Sequence, residues 1–269
     1  MAPRFASLRD AIAELIHDGD AVAMEGFTHL IPFAAGHELI RQGRTDLTLI
    51  RMTPDVIYDQ LIGAGAARRL VFGWGGNPGV GSLHRLRDAV ERGWPRPLEL
   101  AEYSHAMMSA AYVAGASGLP FGVLRAGIGT SLPQHNPGIR PTTCPFTGEV
   151  LTAVEALRPD VAVIHAQRAD RKGNVQLWGI LGIQKEAVYC AQRSLVTVEE
   201  IVEALTPVPG AVVLPASTIT AIALEPRGAS PSYAHDYYAR DNAFYLAWDA
   251  VSRSRDRFAE WLRDLRAAS

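Results

Sequence analysis

Apolar positions along the chain change period repeatedly. Leu8, Ile12, Leu15 and Ile16 recur at the spacing of an amphipathic helix, and Asp18-Gly19-Asp20 then turns the chain into the short apolar run 21–24. Further compact apolar runs follow at 47–50, 69–73, 98–101, 161–166, 194–198 and 211–215, each of strand length. Helical spacing predicts helices around 34–42, 55–63, 83–92, 105–116 and 199–205. This alternation predicts an α/β fold, an open and mainly parallel sheet with helices on both faces. Lys172-Gly173-Asn174, between two strand-like runs, predicts one hairpin within it. Phe244, Trp248, Val251, Phe258, Leu262 and Leu265 fall on roughly one face of a final helix, which is expected to dock on the body. No repeat and no Gly-, Pro- or Ser-rich linker divides the chain, so residues 1–269 are expected to form a single domain. Residues 127–149 read as a long polar loop with four prolines, a length that usually serves function or a partner.

Composition narrows the class. Hydrophobic residues at 48% and charged residues at 20% are ordinary for a soluble globular protein. The first twenty residues scatter their charge, as an amphipathic helix does and a signal peptide does not, and no apolar stretch is long enough for a membrane span. A net charge of −2 without a basic block argues against nucleic acid as a partner. The C-terminal arginines alternate with Asp256, Glu260 and Asp264, as on a solvated helix face. Cys144 and Cys190 are too few for a disulfide framework or a cysteine zinc site, which fits the cytoplasm, and no histidine pair has ligand spacing, so no metal is expected.

Residues 73–81, GWGGNPGVG, hold five glycines directly after a strand-like run. The stretch lacks the lysine and hydroxyl of a P-loop and the register of a dinucleotide fingerprint. Two similar loops follow strand-like runs at 25–32 and 127–131. Gathered along one sheet edge, the three would form a pocket of backbone N–H groups suited to an anionic or carbonyl-bearing ligand. Glu25 and Glu102 each end a strand-like run and are the candidate catalytic carboxylates. His165 reads as a hydrogen-bonded core histidine and Cys190 as packed, while Cys144 would be reactive only if exposed near positive charge. The absence of a Gly-x-Ser-x-Gly elbow argues against an ordinary serine hydrolase.

Several longer stretches together carry a family resemblance. LRDAIAELIHDGDAVAMEGFTHLIPFAAGHELIRQGRTDLTLI, AEYSHAMM followed by GLPF, VAVIHAQRADRKGNVQLWGI, SLVTVEEIV and GASPSYAHDYYARDNAFYLAWDAVSRSRDRFAEWL cover most of the chain. In that order they resemble the A (alpha) subunit of class I coenzyme A transferases, and most of all that of glutaconate CoA-transferase. The resemblance implies a CoA-transferase (NagB-like) sheet, a partner in the form of a homologous B (beta) subunit, and an active site at the interface between the two. It implies coenzyme A thioester as substrate and no tightly bound cofactor. In such enzymes a glutamate belonging to the B subunit performs the attack on the thioester, and the resulting anhydride is converted to a glutamyl-CoA that passes CoA to a second acid. The A subunit contributes pocket wall and backbone donors. Carried over by motif, the substrate-binding candidates are Gly26, Phe27, Thr28 and His29, then Gly76, Asn77 and Gly79, then Tyr103 and Ser104, then Gly127 and Gly129.

Two departures stand out. Glu25 occupies a place where the family usually has glycine, so Glu25 is a candidate for altering substrate choice or acting as a base. A hydroxyl-bearing residue expected near Pro78 is missing, which weighs against glutaconate itself. The same scaffold also serves acyl-CoA ring-opening hydrolysis and decarboxylation, and a stand-alone acyl-CoA binding protein is the alternative of another class.

Overall fold

The computed structural model describes residues 3–268. In chain order its elements are β1 (Arg4–Phe5), α1 (Leu8–Leu15), β2 (Ala21–Glu25), α2 (Phe33–Arg41), β3 (Leu47–Arg51), α3 (Val56–Gly63), β4 (Ala67–Phe72), α4 (His84–Arg92), β5 (Glu99–Glu102) and α5 (His105–Ala116). There follow β6 (Phe121–Leu124), α6 (Leu132–His135), β7 (Ile139–Thr143), β8 (Val150–Glu155), β9 (Val161–Asp170), β10 (Val175–Leu177), α7 (Gln184–Cys190), β11 (Arg193–Val202), β12 (Val212–Leu214), β13 (Ala221–Leu224), α8 (Asn242–Arg253) and α9 (Arg255–Ala267).

Parallel strands in the order β1-β13-β11-β9-β2-β3-β4-β5 form an open sheet, and β10 and β12 extend it from β9 as antiparallel strands. Central parallel strands are covered on both faces, so they are apolar throughout rather than alternating. Val22 and Met24 of β2 point into a core beneath α1, α2, α3 and α9, while Ala23 points into a second core beneath α5 and α7. The expected hairpin is present: Asp170 Oδ1 accepts the Lys172 and Asn174 N–H groups where β9 turns into β10.

Three expectations are corrected. Residues 199–202 continue β11 rather than open a helix, because β9 runs on beside them as far as the pair Val202–Asp170 and supplies a ladder partner. Local helical spacing there yields to tertiary pairing. The final helix is two helices, with Ser254 ending α8 and capping α9 through its Oγ, which accepts the Arg257 N–H at 3.4 Å. The 127–149 stretch is only partly loop: β7 lies within it and pairs with β8 in a small antiparallel sheet ordered β6-β8-β7. Pro141 disguises β7, but proline is tolerated on an edge strand, and β7 is one.

Candidate active site

From β2 the chain moves outward through β3, β4 and β5, whereas β9, β11 and β13 later fill the opposite side. The strand order therefore reverses between β2 and β9, and in open α/β sheets the crevice outside the carboxyl ends at such a point is where ligands bind. Glu25, the last residue of β2, stands at that place, in register with Ile164 of β9.

The loop leaving Glu25 is tightly folded. A Cβ on Gly26 would lie 2.6 Å from the Leu30 carbonyl oxygen and 2.9 Å from Ile31 Cα, so only glycine fits. Thr28 (φ 58°) and Leu30 (φ 53°) adopt the left-handed conformation, which is costly for residues with side chains and clusters at ligand-binding sites. The 232–235 segment holds them there. Tyr233 O accepts the Leu30 N–H at 3.0 Å, Ser232 Oγ donates to Thr28 O at 3.0 Å, and the His235 N–H donates to His29 Nε2 at 2.9 Å. Because Nε2 accepts, the neutral His29 ring carries its proton on Nδ1, which has no hydrogen-bond partner among the described residues. Burial pushes the His29 imidazole down to about 4, so the ring stays neutral at physiological pH.

Beneath this loop lies a buried polar cluster. The Glu25 carboxyl is 3% exposed, and its Oε1 accepts the Tyr112 hydroxyl of α5 at 2.7 Å and the Met52 N–H at 2.9 Å. Arg51, 1% exposed at the end of β3, donates from Nη2 to Gly26 O at 2.8 Å and from Nη1 to Asp55 Oδ1 at 2.9 Å. Its guanidinium lies 5.5 Å from the centre of the Tyr58 ring, whose hydroxyl donates to Ile50 O at 2.8 Å. The cluster thus ties the ends of β2 and β3 to α3 and α5.

Burial pushes the Glu25 carboxyl from its ordinary 4.5 up to about 7, although Arg51, the Tyr112 hydroxyl and the Met52 and Gly26 N–H groups pull it down. The folded chain therefore retains this proton to about pH 7, whereas the unfolded chain releases it near 4.5. Stability owed to Glu25 is complete below the lower value and is lost as pH rises through the upper one, by about 3 kcal/mol. Glu25→Gln cannot ionise, so its stability relative to wild type should rise by about that amount across the same interval and then level off. Urea unfolding of both proteins across this range checks it; parallel stability curves would contradict it.

The remaining sequence candidates are distributed unevenly. Glu102 is exposed at the end of β5, three strands from β2, so roughly 14 Å of sheet separates it from Glu25 and the two carboxylates do not meet as a pair. Tyr103 is buried, with its N–H on Phe72 O at 2.8 Å, and Ser104 caps α5 by accepting the Met107 N–H at 3.2 Å. Gly127 (φ 93°) is pressed against α5, where a Cβ would stand 2.0 Å from Met107 Cε, while Gly129 faces open space. In the glycine-rich loop Gly76 lies against the Trp74 ring and Gly79 (φ 76°) is open. Asn77 is buried, closing the turn with its N–H on Gly81 O at 2.9 Å and donating from Nδ2 to Tyr245 O at 2.9 Å. That loop is consequently fastened to α8, and Arg240 adds a bond to Pro78 O at 2.9 Å. Phe27 and Trp74, on loops leaving β2 and β4 at the same edge, are 38% and 50% exposed.

Arg51, Asp55, Tyr58 and Tyr112 form the buried cluster around Glu25 and the Gly26 loop, and sequence reasoning misses them. An arginine ending an apolar strand, followed four residues later by an aspartate, is the available signal for the first two. His165 is the core histidine expected: its ring nitrogens meet Thr197 Oγ1 at 2.8 Å and Glu199 Oε1 at 2.7 Å. Burial pushes the Glu199 carboxyl up, but His165, the Tyr238 hydroxyl and the Arg227 N–H outweigh it and hold the group below its ordinary value. Cys190 is buried, as expected, and Cys144 is partly exposed; both are free thiols. Among the described residues no three His, Cys, Asp or Glu side chains converge as metal ligands.

Comparison with known proteins places this geometry in a family. The sequence model of the family described as coenzyme A transferase matches residues 5–225. The chain belongs to the coenzyme A transferase family. It is 62% identical to the A subunit of the 3-oxoadipate CoA-transferase of Pseudomonas knackmussii, over 95% of this chain and 91% of that one. With the A subunit of the glutaconate CoA-transferase of Acidaminococcus fermentans the identity is 33%, over 97% and 88%. The crystal structure of that glutaconate coenzyme A-transferase superposes with a TM-score of 0.88 at 30% identity, covering 97% of this chain and 88% of the other. The protein is therefore a CoA-transferase subunit of the A type, built on the open sheet described above.

Proposed function

We propose that this chain pairs with a homologous B subunit, forming the non-nucleophilic wall of a site that moves CoA from an acyl-CoA to a dicarboxylic acid, with 3-oxoadipate as the preferred acid over glutaconate. The observation that carries the choice of acid is the identity sustained over nearly the whole chain, 62% to the relative that acts on 3-oxoadipate and 33% to the relative that acts on glutaconate. A glutamate of the partner attacks the thioester carbonyl and expels CoA thiolate, leaving a mixed anhydride. The thiolate attacks that anhydride at the glutamyl carbonyl, which releases the first acid and leaves glutamyl-CoA. The second acid then repeats the sequence in reverse, and each exchange is close to isoenergetic.

This chain's part is to bind and orient. The Phe27–His29 part of the loop presents backbone at the switch point, and the loops at Gly76–Gly79 and Tyr103–Ser104 line the approach along the same edge. Gly127–Gly129, which leaves β6 of the small sheet rather than a strand of the main one, packs against α5 and is assigned to the periphery of the site. Glu25 and Glu102 are assigned to the site as charged or proton-holding groups rather than as nucleophiles. Exposed Phe27 and Trp74 at that edge favour a partner-covered surface over a chain that acts alone. No helix among the described residues is long and apolar enough to cross a membrane, and the free thiols favour the cytoplasm. The reading is tested by co-purifying the chain with its partner and comparing kcat/KM for the two acids. A preference for 3-oxoadipate of about 100-fold or more is expected. Equal or reversed preference would overturn the choice of acid, and acyl-CoA hydrolysis or decarboxylation without transfer would overturn the reaction.

A further inference from the structure

A cavity of about 770 Å³ lies away from the switch point. Its walls come from four elements distant in sequence: the start of α1, the outer face of α2, the 225–230 turn after β13 and the end of α9. Each contributes an arginine, namely Arg9, Arg41, Arg227 and Arg266. The opposing carboxylates are Glu38 and Glu225. Glu38 is already occupied, accepting Arg41 Nη1 at 3.3 Å and Gln42 Nε2 at 2.8 Å. The Glu225 carboxyl has no hydrogen-bond donor among the described residues; burial pushes it up while Arg41 pulls it down.

Several surface arginines elsewhere pair with carboxylates, among them Arg4 with Glu14, Arg87 with Glu91, Arg96 with Asp46, Arg125 with Glu149, Arg253 with Asp249 and Arg255 with Asp88. The guanidinium groups of Arg9 and Arg227 meet neither a carboxylate nor a carbonyl among the described residues, and that of Arg227 is instead held 4.8 Å over the Tyr238 ring. A chain of net charge −2 thus brings four arginines and two glutamates from separate elements around one cavity and leaves Arg9 and Arg227 without a carboxylate partner among the described residues. Like charges collected within a Debye length repel unless a counter-charge joins them. A phosphate presents three terminal oxygens and up to two charges, enough to meet guanidinium groups arriving from several directions at once. The volume lies in the range of small-molecule sites.

We propose that this cleft binds a phosphate-bearing small molecule of up to nucleotide size, held by Arg9, Arg227 and Arg266. The back of the 225–230 turn touches the His165 ring through Gly228, and the Arg227 N–H donates to Glu199 at 2.7 Å, so an occupant would press on the network beside the switch point. The site does not depend on which acid the enzyme uses.

The test is isothermal titration of the full chain, with any partner that co-purifies, using pyrophosphate, ADP and citrate at matched ionic strength. Saturable binding of pyrophosphate or ADP at one site per chain is expected, weakened about tenfold or more by Arg9→Gln with Arg227→Gln. Arg9→Glu alone, at an exposed position, should weaken binding as well and guards against a folding artefact in the double variant. No saturable binding, binding of citrate alone, or equal affinity in wild type and variants would each overturn the proposal. Binding by the isolated chain that disappears in the assembled protein would overturn it too, since the cleft would then be partner interface.

Discussion

Arg51→Met is expected to cost about 3–5 kcal/mol of stability, the usual effect of breaking a buried ion pair by removing one partner. The reason is local. The guanidinium is enclosed, and it bridges the Asp55 carboxylate and the Gly26 carbonyl. Methionine fills much of the space but leaves Asp55 charged and unpaired and Gly26 O without its donor. Arg51 also lowers the Glu25 carboxyl, so its loss should push that group higher still. Adding Asp55→Asn in the Arg51→Met background should recover part of the loss, because the stranded charge is gone. Urea midpoints of the two variants check this, and a midpoint unchanged by Arg51→Met would show that the cluster does not brace the strand ends.

Gly26→Ala should separate activity from stability. The new methyl meets backbone rather than a flexible side chain, at 2.6 Å from Leu30 O, so the loop carrying Thr28 and His29 must move. Overpacking of this kind costs about 1–3 kcal/mol, which the fold can bear. A displacement near 1 Å in a loop that positions substrate costs on the order of 100-fold in turnover. CoA transfer should therefore fall by about that factor in kcat/KM while the variant remains folded. Gly43→Ala is the control: its φ of 66° makes alanine strained there, yet nothing lies within 4 Å and the position is remote from the switch point. Loss of stability without loss of activity is expected for that variant. Full activity in Gly26→Ala would remove the loop from the site.

The parts of the fold legible in the sequence are those whose burial is complete. The runs containing Val22, Leu49, Val163 and Val196 are apolar on both faces because helices cover both, and they read directly as strands. What escapes depends on neighbours. Glu199 to Val202 have helical spacing, and only the length of β9 beside them makes them strand. Pro141 hides β7, where it is admissible only because β8 pairs the strand on one side. Likewise Glu25 is legible as a carboxylate ending a strand, but its environment is not. Tyr112, which holds it, is 87 residues away, and the His235 N–H that fixes the His29 tautomer is 206 residues away. The composition of the glycine-rich loop suggests a ligand loop, whereas its asparagine is spent on α8.

The measurement that bears most directly on the central claim is to locate the covalent intermediate. The co-purified subunits would be incubated with acyl-CoA in the absence of an acceptor acid, digested, and searched by mass spectrometry for a glutamyl-CoA thioester. The adduct is expected on a glutamate of the partner, with none on this chain. An adduct on Glu25 or Glu102 would contradict the division of labour proposed for the two subunits.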